Sequence, residues 1–117
     1  MRLWLFLILA AGPVAADPAR VLDVTLEPVG GTWRVDVTVA HADTGWDHYA
    51  DAWEVLAPDG TSLGLRTLLH PHVDEQPFTR SLSGVTIPDH ITEVGVRARC
   101  LEDGWTWETL TVPLPGR

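Results

Sequence analysis

An alternation of apolar and polar residues with a period of two is the feature that most constrains the fold of this 117-residue chain. From Trp33 to Val39 every second residue is apolar, and the residues between are polar or charged. Successive side chains of a β-strand point to opposite faces, so this pattern is typical of a strand with one buried face. We find no convincing 3.6-residue pattern of an amphipathic helix. The chain is therefore predicted to be all-β.

Similar alternating segments recur between turn signals such as Pro58-Asp59-Gly60, in which proline presets φ and glycine accepts positive φ. Seven strands are predicted, near residues 20–27, 33–41, 49–57, 62–69, 78–82, 91–100 and 105–114. Short strands at this spacing indicate an antiparallel β-sandwich of the immunoglobulin or fibronectin type III kind, with a small open barrel as the alternative. Trp33 and Trp53 are the predicted core tryptophans.

The first sixteen residues have the three parts of a secretory signal peptide. Arg2 supplies the positive charge, residues 3–11 form a short apolar run, and Val14-Ala15-Ala16 is a small-residue cleavage site before Asp17. The apolar run is too short to span a bilayer, which needs about 20 residues. We expect a signal peptide at 1–16 and a single domain at 17–117, in a periplasmic or secreted protein with no membrane span.

Charge and cysteine content exclude several classes of function. Without Arg2 the chain has seven basic and sixteen acidic groups, a formal charge of −9. Nucleic acid is therefore not an expected partner, because phosphate binding needs basic patches. Cys100 is the only cysteine, so no intrachain disulfide can form. We expect a monomer or a weakly associating protein.

A dense stretch between His41 and His72 contains the candidate functional residues. Histidines fall at the predicted strand ends, which lie close together at one end of a sandwich. The candidate metal ligands are His41, His48, His70 and His72. Neutral imidazoles suit Cu(II) and Zn(II), and nearby carboxylates could complete or orient such a site. These carboxylates are Asp43, Asp47, Asp51 and Glu75.

Other interpretations of the same residues stay open. The histidines could be solvated loop residues, and His70-Pro71-His72 could be no more than a turn. Trp46 and Tyr49 could instead bind a protein or a glycan, because exposed aromatic rings stack on sugars and anchor partners. Cys100 is predicted at an inward strand position, where a free cysteine behaves as a small hydrophobe. No pair of residues forms a defensible catalytic site, so we expect a binding protein rather than an enzyme.

Several segments of the sequence are long enough to be distinctive. They are Asp43-Thr-Gly-Trp-Asp-His-Tyr-Ala-Asp51, His70-Pro-His72 and Glu75-Gln-Pro-Phe-Thr-Arg-Ser-Leu82. In these segments the chain resembles a family of small, uncharacterised exported bacterial proteins. The resemblance covers about half of the predicted mature domain. The resemblance implies an exported protein with an immunoglobulin-like or fibronectin type III-like domain, and it implies no activity.

Overall fold

The computed structural model describes residues 17–117. The predicted signal peptide, residues 1–16, lies outside the described residues. Strands account for the regular structure, and no helix in the described part is long and apolar enough to cross a membrane. The strands are β1 (Arg20–Val29), β2 (Thr32–Ala40), β3 (Ala50–Leu56), β4 (Ser62–Thr67), β5 (Phe78–Val85), β6 (Glu93–Cys100), β7 (Gly104–Trp105) and β8 (Leu110–Pro113).

The strands form two antiparallel sheets, which confirms the predicted β-sandwich. The smaller sheet has the order β1-β2-β5, and the larger has the order β4-β3-β6 with β7 and β8 both paired to β6. The second strand thus pairs with the fifth and the third with the sixth, as in immunoglobulin-like sandwiches. The fourth strand lies on the outer edge of β3.

The core lies between the inner faces of the two sheets. In β2 the alternate residues from Trp33 to Val39 are buried, as the period of two predicts. In β6 the buried residues again alternate, from Val94 to Cys100. Trp33 and Trp53 are 6% and 0% exposed, so both predicted core tryptophans are confirmed.

Two elements differ from the expected pattern. Leu22 continues the apolar alternation of Val24 and Leu26, which predicts a buried position, yet it is 47% exposed, because the β1–β2 register shifts between Val21 and Asp23. Such a shift turns the side chains on its far side to the opposite face. The predicted last strand is divided into β7 and β8, and Trp107 between them is fully exposed.

Antiparallel pairing brings the start of β1, the end of β2, the start of β3 and the end of β6 to one end of the sandwich. Arg20 pairs with Ala40, and Ala50 pairs with Cys100. The segment that joins β2 to β3, residues 41–49, therefore lies against the first residues of the domain and the last residue of β6. Most of the candidate residues are on this segment.

Candidate metal centre

The carboxylate of Asp43 is the centre of this end of the domain. Its side chain is fully buried and accepts two backbone hydrogen bonds, at 2.9 Å from Ala50 N–H and at 2.8 Å from His72 N–H. Its Oδ1 also lies 2.5 Å from Nδ1 of His41. A buried carboxylate is tolerated when hydrogen bonds replace its hydration, and here three segments of the chain supply them.

Asp43 orients His41. The His41 side chain is fully buried, and its Nδ1 is bound to Asp43, so its Nε2 points to the other side of the ring. Nε2 has no hydrogen-bond partner. The backbone N–H of His41 donates to Oε1 of Gln76 at 3.0 Å, which holds the residue in place. A histidine whose second nitrogen is bound to a carboxylate is the usual arrangement of a metal ligand.

A tight turn brings His48 to His41. Thr44 N–H donates to the His48 carbonyl at 3.0 Å, and His48 N–H donates to the Gly45 carbonyl at 3.2 Å. Gly45 has a φ of +149°, which favours glycine. The two imidazole rings meet edge to face with centroids 4.6 Å apart. Nε2 of His48 is buried and has no hydrogen-bond partner, whereas Nδ1 lies 3.6 Å from Glu102.

Cys100 completes the group from the end of β6. It is fully buried, and its Sγ accepts the N–H of Asp103 at 3.4 Å. Burial raises the pKa of the Cys100 thiol, so the free thiol keeps its proton at neutral pH. One ligand atom each from His41, His48 and Cys100 lies within 4.8 Å of the other two. The three side chains are thus close enough to bind one ion together.

His70 and His72 occupy a different place. The ring of His72 is stacked on Phe78 at 3.9 Å, and its Nε2 lies 2.8 Å from Nη2 of Arg80. A guanidinium only donates hydrogen bonds, so it occupies the Nε2 lone pair of His72. His70 is exposed, and its ring lies 4.4 Å from that of His72. These two histidines approach each other but are not in the group with His41 and His48.

The predicted partner-binding residues are at the tip of the turn. Trp46 is 67% exposed, and its ring meets Tyr49 edge to face at 5.7 Å. Edge-to-face packing of this kind is a favoured arrangement of two aromatic rings. Trp46 therefore packs on Tyr49 and presents an apolar surface to solvent in the turn that contains His48.

Among the carboxylates proposed from the sequence, Asp43 contacts a candidate ligand. Asp47 is exposed, Asp51 lies 3.8 Å from Arg99, and Glu75 lies 3.8 Å from Arg80. The thiol of Cys100 was interpreted from the sequence mainly as a core residue. Its membership of the group depends on the pairing of Cys100 with Ala50, two residues after His48. No local pattern in the sequence specifies that register.

Comparison with known proteins finds a relative that matches most of this chain. A protein of Halomicrobium mukohataei named "Putative lipoprotein" is 41% identical over 95 residues, which are 80% of this chain and 46% of the relative. The chain thus spans about half the length of that protein. No family model and no solved structure matches the chain. The similarity is therefore to part of a longer protein.

Replacing Asp43 tests its central position. In Asp43→Asn one oxygen becomes an NH₂ group that faces donors, and buried hydrogen bonds are lost. We expect the free energy of unfolding to fall by about 2–4 kcal/mol, measured by urea denaturation at pH 7. The exposed Asp47→Asn is the matched control and should change stability by less than about 0.5 kcal/mol. Equal, small effects of both substitutions would contradict the central role of Asp43.

The stability of the folded protein should decrease in acid because of His72. Burial, then Arg80, then His70 lower the pKa of His72 in the folded protein. The unfolded chain therefore binds a proton more readily, and stability should fall as the pH drops through about 6.5, the ordinary pKa of histidine. Urea denaturation between pH 5 and pH 8 measures this loss. His72→Gln should flatten the profile, whereas the exposed His90→Gln should keep the wild-type slope. A wild-type slope in His72→Gln would assign the acid sensitivity to other groups.

Proposed function

We propose that this protein is an exported binding domain that holds a divalent transition metal ion, Cu(II) or Zn(II), through His41, His48 and Cys100. The observation that carries the proposal is the convergence of one ligand atom from each residue within 4.8 Å, at one end of the sandwich. The three donors come from the end of β2, the turn before β3 and the end of β6.

Two unpaired imidazole nitrogens support this proposal. Nε2 of His41 and Nε2 of His48 are buried without hydrogen-bond partners. A buried polar atom that lacks a partner costs about 1–3 kcal/mol, and native proteins contain few of them. A metal ion bound to both nitrogens would remove this cost.

The donor set defines the class of metal. Imidazole together with thiolate suits zinc and copper, whereas magnesium and calcium prefer oxygen ligands. Because the pKa of the Cys100 thiol is raised, metal binding must displace its proton. The N–H of Asp103 already points at Sγ and would stabilise the thiolate. Asp43 would keep the His41 ring oriented as a carboxylate partner of a metal-bound histidine.

Export of the protein has two independent supports. The sequence of residues 1–16 is typical of a secretory signal peptide. A relative that is 41% identical is named "Putative lipoprotein", a name that implies a protein of the cell envelope. We infer that the domain acts outside the cytoplasm, in the periplasm or as a secreted protein.

Binding, rather than catalysis, is the inferred activity. A nucleophilic cysteine needs a lowered pKa and access to substrate, whereas Cys100 is fully buried and its pKa is raised. The buried thiol and imidazoles are better suited to hold an ion than to attack a substrate.

Calorimetric titration of Zn(II) and Cu(II) into the metal-stripped, reduced protein of residues 17–117 tests this function. We expect one ion per chain with micromolar affinity or better. Cys100→Ser and His48→Ala should each weaken binding about 100-fold, because each removes a ligand. His70→Ala is the matched control and should bind as the wild type does. Weak, non-stoichiometric heat that all variants share would refute the metal site.

The exposed pair of Trp46 and Tyr49 favours a second candidate function, the binding of a protein or a glycan partner. Trp46 is held in a solvent-facing position by Tyr49, as a binding residue would be. Trp46→Ala should then abolish partner binding and leave the metal affinity unchanged, whereas Cys100→Ser should have the opposite effects. The two functions are thus separable by mutation.

A further inference from the structure

Strand pairing places the first described residues beside the candidate metal centre. Arg20 pairs with Ala40, so the residues before Arg20 continue alongside those after Ala40. Asp17 consequently lies next to His41. Thr106 donates a hydrogen bond to the carbonyl of Ala19, which fixes the path of this segment against β7.

Asp17 approaches His41 with its carboxylate and Cys100 with its backbone carbonyl. Its Oδ2 lies 3.5 Å from His41 Nε2, and its backbone carbonyl oxygen lies 3.8 Å from Cys100 Sγ. Nε2 of His41 has no hydrogen-bond partner, so the carboxylate is near this nitrogen without forming a hydrogen bond to it.

The separation of 3.5 Å matches that of two ligands on one ion. With metal bonds of about 2.0–2.2 Å, two ligands of a tetrahedral zinc ion are about 3.3–3.5 Å apart. A direct N–H···O hydrogen bond would instead bring the two atoms to about 2.9 Å. The Asp17 carboxylate and the His41 imidazole are therefore spaced as neighbouring ligands, and the carboxylate would have to move toward His48 and Cys100 to join the group of three.

We propose that the carboxylate of Asp17 is the fourth ligand of this centre, so that the site is a four-coordinate set of two imidazoles, one thiolate and one carboxylate. This inference rests on the metal-binding function proposed above and extends it. A set of this kind, with a strong oxygen ligand in the fourth position, is typical of zinc. Electron-transfer copper sites instead combine two histidines and a cysteine with a weak, long axial ligand.

Asp17 is also the most solvent-exposed of the four proposed ligands. The side chain is 46% exposed, whereas the side chains of His41 and Asp43 are fully buried. An open depression lined by Asp17, His41 and Asp43 connects this end of the domain to solvent. Asp17 thus lies on the solvent side of the centre. Its carboxylate can bind an incoming ion before the buried ligands do.

The experiment compares Asp17→Ala with the wild type in the protein of residues 17–117, using Zn(II) for affinity and Co(II) as a spectroscopic probe. We expect Asp17→Ala to bind Zn(II) at least about 10-fold more weakly. With Co(II), the charge-transfer band of the Cys100 thiolate should remain, while the ligand-field bands should shift because one oxygen ligand is lost. Asp23→Ala, which removes an exposed carboxylate of β1, should match the wild type in both measurements.

Three outcomes separate the inference from the function on which it rests. A weakened affinity with shifted ligand-field bands in Asp17→Ala, but not in Asp23→Ala, supports the fourth ligand. A wild-type affinity and a wild-type cobalt spectrum in Asp17→Ala would overturn it while leaving the three-residue site intact. Absence of Zn(II) binding and of a thiolate band in the wild type would refute the metal site itself. Asp17→Asn, which preserves side-chain shape, provides a second variant if Asp17→Ala unfolds.

Discussion

The buried carboxylate of Asp43 is the interaction on which this end of the domain depends. It joins the end of β2, the start of β3 and the segment before β5 through His41, Ala50 and His72. Removing a charged group from water is costly, and only a complete set of donors offsets that cost. The three segments must therefore meet in one arrangement, and that arrangement sets the direction of the His41 ring.

The candidate centre follows from this arrangement and from two strand registers. The pairing of Ala50 with Cys100 places the thiol near His48, and the pairing of Arg20 with Ala40 places Asp17 near His41. The proposed ligands come from parts of the chain that are more than 80 residues apart in sequence. Cys100 is the last residue of β6, and the other three proposed ligands lie within three residues of a strand end, which limits the movement that an ion would have to induce.

The fold was largely predictable, because the alternation in β2 and β6 reports a two-faced strand wherever it occurs. The fold was less predictable where long-range contacts override the local alternation of apolar and polar residues. The register shift in β1 turns Leu22 outward, and the break after Trp105 divides the last predicted strand. For the site, the sequence indicated that histidines at strand ends could meet, but not which of them do. Arg80 occupies the lone pair of His72, and that contact depends on the path of β5.

The sequence by itself determined the signal-like first residues, the all-β class, the acidic charge and the residue types available for chemistry, because these depend on composition and on local periodicity. The tertiary structure decided which of the candidate donors lie close together. It placed His41 and His48 next to Cys100, the last residue of β6, and it placed His70 and His72 outside this group. The physical reason is that strand register and buried hydrogen bonds are settled by contacts between distant segments, about which a local pattern carries no information.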